Sequence, residues 1–287
     1  MIEISFPDKS KRSFKKGITP FEIAQSISEG LARNVLSSSF NKNIIEVSTP
    51  LEKNGDIKLF TWKDPEGKAA FWHSSAHILA QSILSVYPNA KLTIGPPIEN
   101  GFYYDVDFGN YSFTEKDLIP LEKQFLSFAR EKFEFKMRMC SKSDALKYYK
   151  KENNPFKLEL IENLKDGEIS FCDHADFTDL CKGGHIPNSG HIKAVKLLNV
   201  AGAYWRGDES KKQLTRIYGI SFPKQKELSE YLTLLEEAKK RDHRKLGKEL
   251  ELFTFSKKVG QGLPLWLPKG ADLRERLENF LKNAQTI

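Results

Sequence analysis

The alternation of apolar and polar residues in the first sixty positions predicts a small module of strands around one helix. The segments IEISF and KRSF, separated by the polar turn PDKS, predict a β-hairpin, and NIIEVS and IKLFTW indicate further strands around an Asn-Gly turn. Between them, Thr19, Pro20 and Glu22 supply an N-cap, a first-turn proline and a capping-box glutamate ahead of FEIAQSI. This order of elements is typical of a ubiquitin-like β-grasp domain, which we place at residues 1–62.

Helix-like and strand-like segments alternate in a second region, which we place at residues 63–223. The stretch FWHSSAHILAQSILSV predicts a helix that ends before Pro88, and a second helix is indicated over residues 114–131. Strands are predicted in KLELI, EISFCDH and IKAVKLLNVAGAYW, and IGPPIENGFYYDVDF indicates turns and strands. This mixture predicts an α+β domain.

The last part of the chain is predicted to be mostly helical. A charged helical segment at residues 224–241 leads into residues 242–287, where a short strand precedes an amphipathic helix. Leu273, Leu277 and Leu281 lie four residues apart and form an apolar stripe that no predicted element covers. We therefore expect the sequence to be the front part of a longer protein.

Two pairs of side chains with the same spacing carry the candidate chemistry. His73 and His77 are one helical turn apart, so both imidazoles project from one face of the predicted helix. Cys181 and His185 repeat this spacing about a hundred residues later, in a glycine-containing segment where backbone can approach a ligand closely. By chemistry alone, three imidazoles and one thiolate would suit tetrahedral zinc.

Composition narrows the class of protein. With 287 residues, 39% hydrophobic, 29% charged, and without a long apolar run or an apolar leader, the sequence predicts a soluble, cytoplasmic protein with no membrane segment. Three cysteines at irregular spacing favour free thiols over a disulfide framework. The net charge of +7 is compatible with a polyanionic partner, but this signal is weak because the lysines are scattered among acidic residues.

Five segments carry a resemblance to one family. In chain order, HSSAH, IGPPIENGFYYD, DLCKGGHIPN, AGAYWRGD and RDHRKLGKELELF resemble the amino-terminal half of the bacterial-type threonyl-tRNA synthetases, and the resemblance covers essentially the whole chain. It implies a TGS domain at residues 1–62, an editing domain at 63–223, a helical linker at 224–241 and the beginning of a class II catalytic domain at 242–287.

The same resemblance implies partners and cofactors. The editing domain of this family hydrolyses serine that is esterified to the tRNA for threonine, so we expect binding of the acceptor stem and 3′ end of that tRNA. We expect these 287 residues to need no cofactor and to charge no tRNA, because the remaining core motifs are missing from the sequence. The full-length ligase would use ATP, magnesium and a zinc ion in that core, and would form a homodimer.

Matched by motif, the editing pocket of the family falls on seven residues. The catalytic residues would be His73, His77, Lys157, Asp179, Cys181 and His185, and Tyr104 would bind substrate. His73 would act as the base or orient the water, and His77 and Asp179 would position water or substrate. Lys157 would stabilise charge near the leaving ribose oxygen. Cys181 and His185 would shape the pocket and hold substrate.

Three further positions are interpreted from the same comparison of motifs. Gly184 stands where many relatives have proline, and we expect it to loosen the loop that carries His185. His174 and His191 match no role in the pocket, so we expect them to be structural or on the surface.

The sequence alone is compatible with three functions. The first is an editing esterase of threonyl type, with no metal ion in the pocket. The second is a zinc-dependent editing hydrolase of alanyl type, because the HxxxH and CxxxH pattern binds zinc in the alanyl relatives; AGAYWRGD and RDHRK favour the first. The third is a non-catalytic RNA-binding or regulatory protein with a TGS domain.

Overall fold

The computed structural model describes residues 1–260 and 262–286. The chain divides into two compact units, residues 1–228 and 229–287. The first unit contains both the amino-terminal module and the histidine- and cysteine-bearing region. Each unit is described by itself below.

The amino-terminal module is a five-stranded sheet with two helices. Its strands are β1 (Ile2–Ser5), β2 (Lys11–Phe14), β3 (Val35–Phe40), β4 (Asn43–Ile45) and β5 (Gly55–Thr61), and its helices are α1 (Pro20–Ile27) and α2 (Glu29–Asn34). The order across the sheet is β2-β1-β5-β3-β4, with β1 and β5 parallel and the other neighbours antiparallel. The predicted capping box is present, because Thr19 accepts from the Glu22 amide and the Glu22 side chain accepts from Thr19. The predicted β-grasp arrangement is therefore confirmed.

The rest of the first unit combines helices with two antiparallel sheets. Its helices are α3 (Pro65–Val86), α4 (Leu118–Arg130), α5 (Lys142–Lys151) and α6 (Pro155–Glu162). One sheet has the order β12-β13-β8-β6, formed by β6 (Lys91–Leu92), β8 (Gly101–Asp107), β12 (Ala194–Tyr204) and β13 (Gln213–Phe222), with β7 (Pro97–Ile98) also paired to β8. The other has the order β11-β10-β9, formed by β9 (Lys136–Met139), β10 (Ser170–His174) and β11 (Phe177–Leu180). The predicted α+β class is confirmed.

Helix α3 is the buried element on which the site is built. From Ala70 to Ile83, every residue except His73 is buried. Trp62, which lies between the amino-terminal module and α3, packs against Phe71 in the first half of the helix, with the two ring centroids 4.8 Å apart. Trp72 donates a hydrogen bond of 3.0 Å from its indole nitrogen to the Ser221 carbonyl of β13. These contacts fix α3 between the amino-terminal module and the larger sheet.

One predicted strand is wrong. The segment KLELI, residues 157–161, lies in helix α6. Asn154 caps this helix by accepting from the Lys157 amide, and Pro155 occupies its first turn, where a missing amide hydrogen costs nothing. The alternating pattern of KLELI favours a strand, but the helix-start residues immediately before it determine the conformation.

The second unit begins within helix α7 (Gln225–Lys240) and continues with α8 (His243–Glu249), β14 (Phe253–Phe255), β15 (Pro264–Trp266) and α9 (Pro268–Gln285). The predicted strand and amphipathic helix are present. The apolar stripe of α9 is exposed, since Leu273, Leu277 and Leu281 keep 47%, 57% and 55% of their accessible surface. Among the described residues, no helix has both the length and the apolar character needed to cross a bilayer.

Candidate active site

The site is a cavity of about 510 Å³ in the first unit. Helix α3 supplies His73 and His77 from one face, with their ring centroids 4.9 Å apart, as the spacing predicted. Most of the remaining wall comes from the 93–97 segment, β8, α6 with the residues after it, β11 and the residues after β11. Six of the seven sequence-predicted residues line it, namely His73, His77, Tyr104, Lys157, Asp179 and Cys181.

The sulfur of Cys181 is the point where the two spaced pairs meet. The Nε2 atoms of His73, His77 and His185 lie 3.0, 3.3 and 3.3 Å from Sγ. The backbone holds the cysteine here, because its amide donates to the Ser170 carbonyl over 3.0 Å. The two motifs thus converge although about a hundred residues separate them in sequence.

The loop after Cys181 is also tied to helix α3. The Ile186 amide donates to the Ser74 hydroxyl over 3.0 Å, and that hydroxyl donates to the Ala70 carbonyl over 2.8 Å. Ser74, the first serine of HSSAH, therefore anchors the segment that carries His185. This contact explains structurally why a serine lies between the two histidines.

Asp179 is the acidic centre of the site. Its side chain is 5% exposed and forms an ion pair with Lys157, whose side chain is 3% exposed. Tyr104 donates to Oδ2 over 2.8 Å, and Tyr149 donates to Oδ1 over 3.2 Å. The Nδ1 atom of His77 lies 3.8 Å from Oδ2. A buried carboxylate is tolerated here because a cation and two hydroxyl groups compensate for its lost hydration.

Burial keeps His73, His77 and Cys181 uncharged at neutral pH. It lowers the pKa of His73 to about 3, with a further contribution from the charge of His185. Burial also lowers the pKa of His77 well below its usual value, and the neighbouring histidines and Lys157 add to this effect. The pKa of the Cys181 thiol is raised to about 12, again mainly by burial. At pH 7 the cysteine is therefore a thiol and not a thiolate.

His185 lies behind Cys181, outside the wall of the cavity. It is fully buried, and its ring stacks on Phe135 with a centroid distance of 5.3 Å and an interplanar angle of 9°. Its Nδ1 atom lies 3.3 Å from Oε1 of Glu46. The predicted site residue His185 therefore contacts the Cys181 sulfur from behind and does not line the cavity.

Gly184 has a backbone conformation and an amide hydrogen bond that proline could not provide. Its φ angle is +88°, whereas proline is confined near −65°. Its amide donates to Glu46 Oε1 over 2.9 Å, and proline has no amide hydrogen to donate. The glycine therefore supplies a bond that fixes the loop carrying His185, and the expectation that it loosens this loop is wrong.

Two residues of the site were missed in the sequence. Glu46 comes from the amino-terminal module, and Tyr149 comes from the unpredicted helix α5. The YY pair within the lysine-rich segment KYYKK was the available signal for Tyr149, since a tyrosine in such a helix favours its buried face. No local pattern marks Glu46.

Two basic residues lie at the rim of the cavity. Lys182 and Arg206 both line it and are both exposed. Arg206 also pairs with Glu159 over 3.1 Å. Cations at the entrance of a cavity attract anions such as phosphate groups by long-range electrostatics.

The remaining histidines lie outside the cavity wall. His174 is 2% exposed, and neither of its ring nitrogens has a hydrogen-bond partner among the described residues. Burial lowers its pKa to about 4, and it packs between Phe135 and Phe177 at ring distances of 5.0 Å. His174 is therefore structural, as predicted. His191 is partly buried, and burial lowers its pKa.

The donor set around the sulfur also fits a metal ion. One ligand atom each of His73, His77, Cys181 and His185 lie within 4.8 Å of one another. The ligands of tetrahedral zinc are about 3.3–3.5 Å apart, given bonds of ~2.0 Å to nitrogen and ~2.3 Å to sulfur. Zinc bound here would displace the thiol proton, because it is held by thiolate. The residue types and separations are thus compatible with zinc.

Comparisons with known proteins find two matching domain models and a set of similar threonine–tRNA ligases. Residues 2–61 match the family model of the TGS domain, and residues 169–218 match the model described as the threonyl and alanyl tRNA synthetase second additional domain. The chain is 65%, 63% and 60% identical to the threonine–tRNA ligases of Flavobacterium johnsoniae, Flavobacterium psychrophilum and Cytophaga hutchinsonii. Each match covers 99% of this chain and 44% of the relative, so the chain spans less than half the length of these proteins.

Proposed function

This chain is homologous along nearly its whole length to the amino-terminal part of the threonine–tRNA ligases, and from that premise we propose that it hydrolyses serine wrongly esterified to the tRNA for threonine. The observation that carries the proposal is the cavity in which His73, His77 and Cys181 face the Lys157–Asp179 ion pair. A titratable cluster with strongly shifted pKa values in a cavity is typical of catalytic sites.

Selectivity explains why a ligase would carry such a cavity. Serine lacks one methyl group of threonine, and a binding pocket discriminates against a missing methylene by only about 1–3 kcal/mol. A second site that admits the seryl ester and excludes the larger threonyl ester removes the product of the error. The basic rim formed by Lys182 and Arg206 supports an RNA substrate, because it would contact phosphates next to the terminal adenosine.

The proposed nucleophile is water. Its oxygen forms a bond to the ester carbonyl carbon, and the bond from that carbon to the ribose oxygen breaks. One proton of the water ends on the ribose oxygen, and the other leaves as the serine carboxylate ionises. His73 orients the water by hydrogen bonding, since a histidine with a pKa of about 3 is a weak proton acceptor at pH 7.

The other residues have roles that follow from their contacts. Lys157 lines the cavity and would stabilise charge that develops on the leaving oxygen. Asp179 holds Lys157 and the Tyr104 hydroxyl, so it positions both groups. The thiol of Cys181 shapes the wall, and its pKa of about 12 argues against a thiolate nucleophile.

The proposal is tested by deacylation of two esters of one tRNA. We expect the purified 287-residue protein to hydrolyse the seryl ester of the tRNA for threonine and to spare the threonyl ester, because only the smaller amino acid enters the site. The measurement is the time course of radiolabelled amino acid released from each charged tRNA. His191→Ala is a suitable control, since this residue lies outside the cavity wall.

Two outcomes would contradict this proposal. Equal hydrolysis of both esters would refute the selective second site. Binding of the tRNA with no hydrolysis of either ester would favour a non-catalytic RNA-binding protein.

We further propose that the reaction needs no metal ion, although the donor set fits zinc. We expect chelator-treated protein to retain deacylation with substoichiometric zinc, because the three histidines and the thiol already form hydrogen bonds with one another at the sulfur. The measurements are zinc content by mass spectrometry and activity of the same sample. Loss of activity on chelation, with recovery when zinc is added, would instead favour the alanyl type of hydrolase.

A further inference from the structure

A carboxylate from the amino-terminal module reaches the back of the candidate active site. Glu46 follows strand β4, within the residues that match the TGS domain. Its Oε1 atom accepts from the Gly184 amide over 2.9 Å and lies 3.3 Å from Nδ1 of His185. The Glu46 side chain is only 18% exposed and the His185 side chain is fully buried, so water competes little for this contact.

The contact with the Glu46 side chain determines which nitrogen of His185 carries a proton. A carboxylate can only accept hydrogen bonds, so Nδ1 of His185 must be the protonated nitrogen. In the neutral imidazole, Nε2 is then without a proton and faces the sulfur of Cys181 at 3.3 Å.

This assignment extends from His185 to the two histidines of the cavity. A thiol has one proton, and the bare Nε2 of His185 accepts it. The sulfur then accepts from its other nitrogen neighbours, which lie 3.0 Å away in His73 and 3.3 Å away in His77. Both of these histidines therefore carry the proton on Nε2 and leave Nδ1 free to accept.

We propose that Glu46 is a positioning residue for the hydrolytic site, which it serves from the amino-terminal domain by fixing the tautomer of His185 and, through the Cys181 thiol, the tautomers of His73 and His77. This inference rests on the proposed deacylation, because the residues it orients are the ones assigned to that reaction. Glu46 reaches the site through two contacts, with the Gly184 amide and with Nδ1 of His185. Deacylation thus depends on docking of the amino-terminal domain against that loop.

Two substitutions and a matched control test the role of Glu46 in the full 287-residue protein. Glu46→Ala removes the acceptor, and we expect kcat for the seryl ester to fall about 10- to 100-fold, the range for a lost hydrogen bond to a charged group, with KM changed less than about twofold. Glu46→Gln keeps an acceptor oxygen, so we expect it to recover most of the lost rate. Glu52→Ala removes an exposed glutamate of the same domain, and its rate should equal that of the parent.

A second measurement reads the tautomers without any substrate. In protein labelled with ¹⁵N-histidine, nitrogen chemical shifts distinguish a protonated ring nitrogen from a bare one. We expect His185 of the parent to carry its proton on Nδ1, and we expect Glu46→Ala to lose this preference while Glu46→Gln keeps it. Folding of each variant is checked by circular dichroism.

The two measurements separate this inference from the proposed function. A parent protein that releases no serine refutes the deacylation, yet the nitrogen shifts still decide whether Glu46 fixes His185. A His185 protonated on Nε2 in the parent, or an unchanged tautomer in folded Glu46→Ala, overturns the inference. So does a folded Glu46→Gln variant that loses as much rate as Glu46→Ala.

Discussion

At the scale of single residues, the energetics of the site centre on the buried carboxylate of Asp179. Both of its oxygens are engaged, one by Tyr104 and the other by Lys157 and Tyr149. A buried ion pair contributes little net stability compared with an apolar pair, but removing one partner leaves a buried charge without compensation. Lys157 is therefore needed for the fold as well as for the proposed chemistry.

We predict that Lys157→Ala lowers both the stability of the protein and the rate of deacylation. The free energy of unfolding should fall by about 3–5 kcal/mol, the usual cost of breaking a buried ion pair. In single-turnover experiments, the rate should fall more than the affinity for tRNA, because charge on the leaving oxygen grows mainly in the transition state. Urea unfolding and rapid-quench kinetics measure the two effects.

Lys196→Ala is the matched control for this prediction. Lys196 pairs with Glu122 over 2.8 Å, but its side chain keeps 41% of its accessible surface. An exposed pair contributes only about 0–1 kcal/mol, so this variant should unfold almost like the parent. Equal losses of stability in the two variants would show that burial of the Lys157–Asp179 pair is not the cause.

Local sequence patterns predicted the histidines and the cysteine of the site, but not the contacts behind them. His73 and His77 are joined by helical spacing, which one-dimensional sequence displays directly. Glu46 and His185 are 139 residues apart and belong to different modules, so no periodicity relates them. The burial of Lys157 was equally hidden, because it depends on helix α6 packing beside Asp179.

At the scale of elements, the turn between Cys181 and His185 depends on two consecutive glycines. Gly183 and Gly184 have φ angles of +95° and +88°, in the left-handed region that costs other residues about 1–2 kcal/mol. This backbone brings the Gly183 amide to 3.3 Å from the Cys181 sulfur and the Gly184 amide to Glu46. The turn is thus a compact structure and not merely a connection.

We predict that Gly183→Ala impairs deacylation by moving Glu46. A Cβ atom at this position would lie 3.0 Å from Glu46 Oε1, so the carboxylate would have to shift, and the positive φ angle adds strain. The variant should lose about 1–2 kcal/mol of stability and show a lower kcat for the seryl ester. Urea unfolding and steady-state deacylation check both effects.

Gly109→Ala controls for backbone strain alone. Gly109 has a φ angle of +64°, and a Cβ atom there would meet nothing within 4 Å. It should lose a similar amount of stability and keep the activity of the parent. A comparable loss of activity in both variants would mean that strain, and not the displaced carboxylate, affects catalysis.

Elements were predictable where start signals and periodicity agreed. Helices α1 and α3 both begin with a proline in the first turn and continue with apolar residues, and both were found. In helix α6 the two signals disagreed, because KLELI alternates like a strand while Asn154 and Pro155 mark a helix start. Helix α5 was missed because KSDALKYYKK is mainly polar and its apolar face is narrow.

At the scale of the whole molecule, the first unit buries several titratable groups in their uncharged forms around one cavity. The pKa of His73 is lowered to about 3 from its usual 6.5, and that of Cys181 is raised to about 12 from 9.0. Such shifts mean that folding opposes ionisation of these groups. Ionisation of these groups must then oppose folding. The free energy of unfolding therefore decreases both at acidic pH, where His73 ionises, and at alkaline pH, where Cys181 ionises.

We predict that the stability of the metal-free protein is greatest between about pH 6.5 and 9. Below pH 6.5 the unfolded chain protonates His73 while the folded chain does not until about pH 3, so the unfolded state binds more protons and stability falls with acidification. This residue alone contributes a slope approaching about 1.4 kcal/mol per pH unit. Above pH 9 the unfolded chain ionises Cys181 while the folded chain does not until about pH 12, so stability falls as pH rises.

Urea unfolding measured from pH 4 to 10 tests this dependence, with pH values chosen to span both limbs. His73→Gln should flatten the acidic limb by about one proton, and Cys181→Ser should flatten the alkaline limb, because each removes the group that titrates differently in the two states. His243→Gln, at an exposed histidine, is the matched control for the His-to-Gln substitution, and its acidic slope is compared with that of His73→Gln. An acidic slope that is the same in His73→Gln and the parent would show that His73 is protonated equally in both states, and would remove the argument that it orients the water instead of acting as a base.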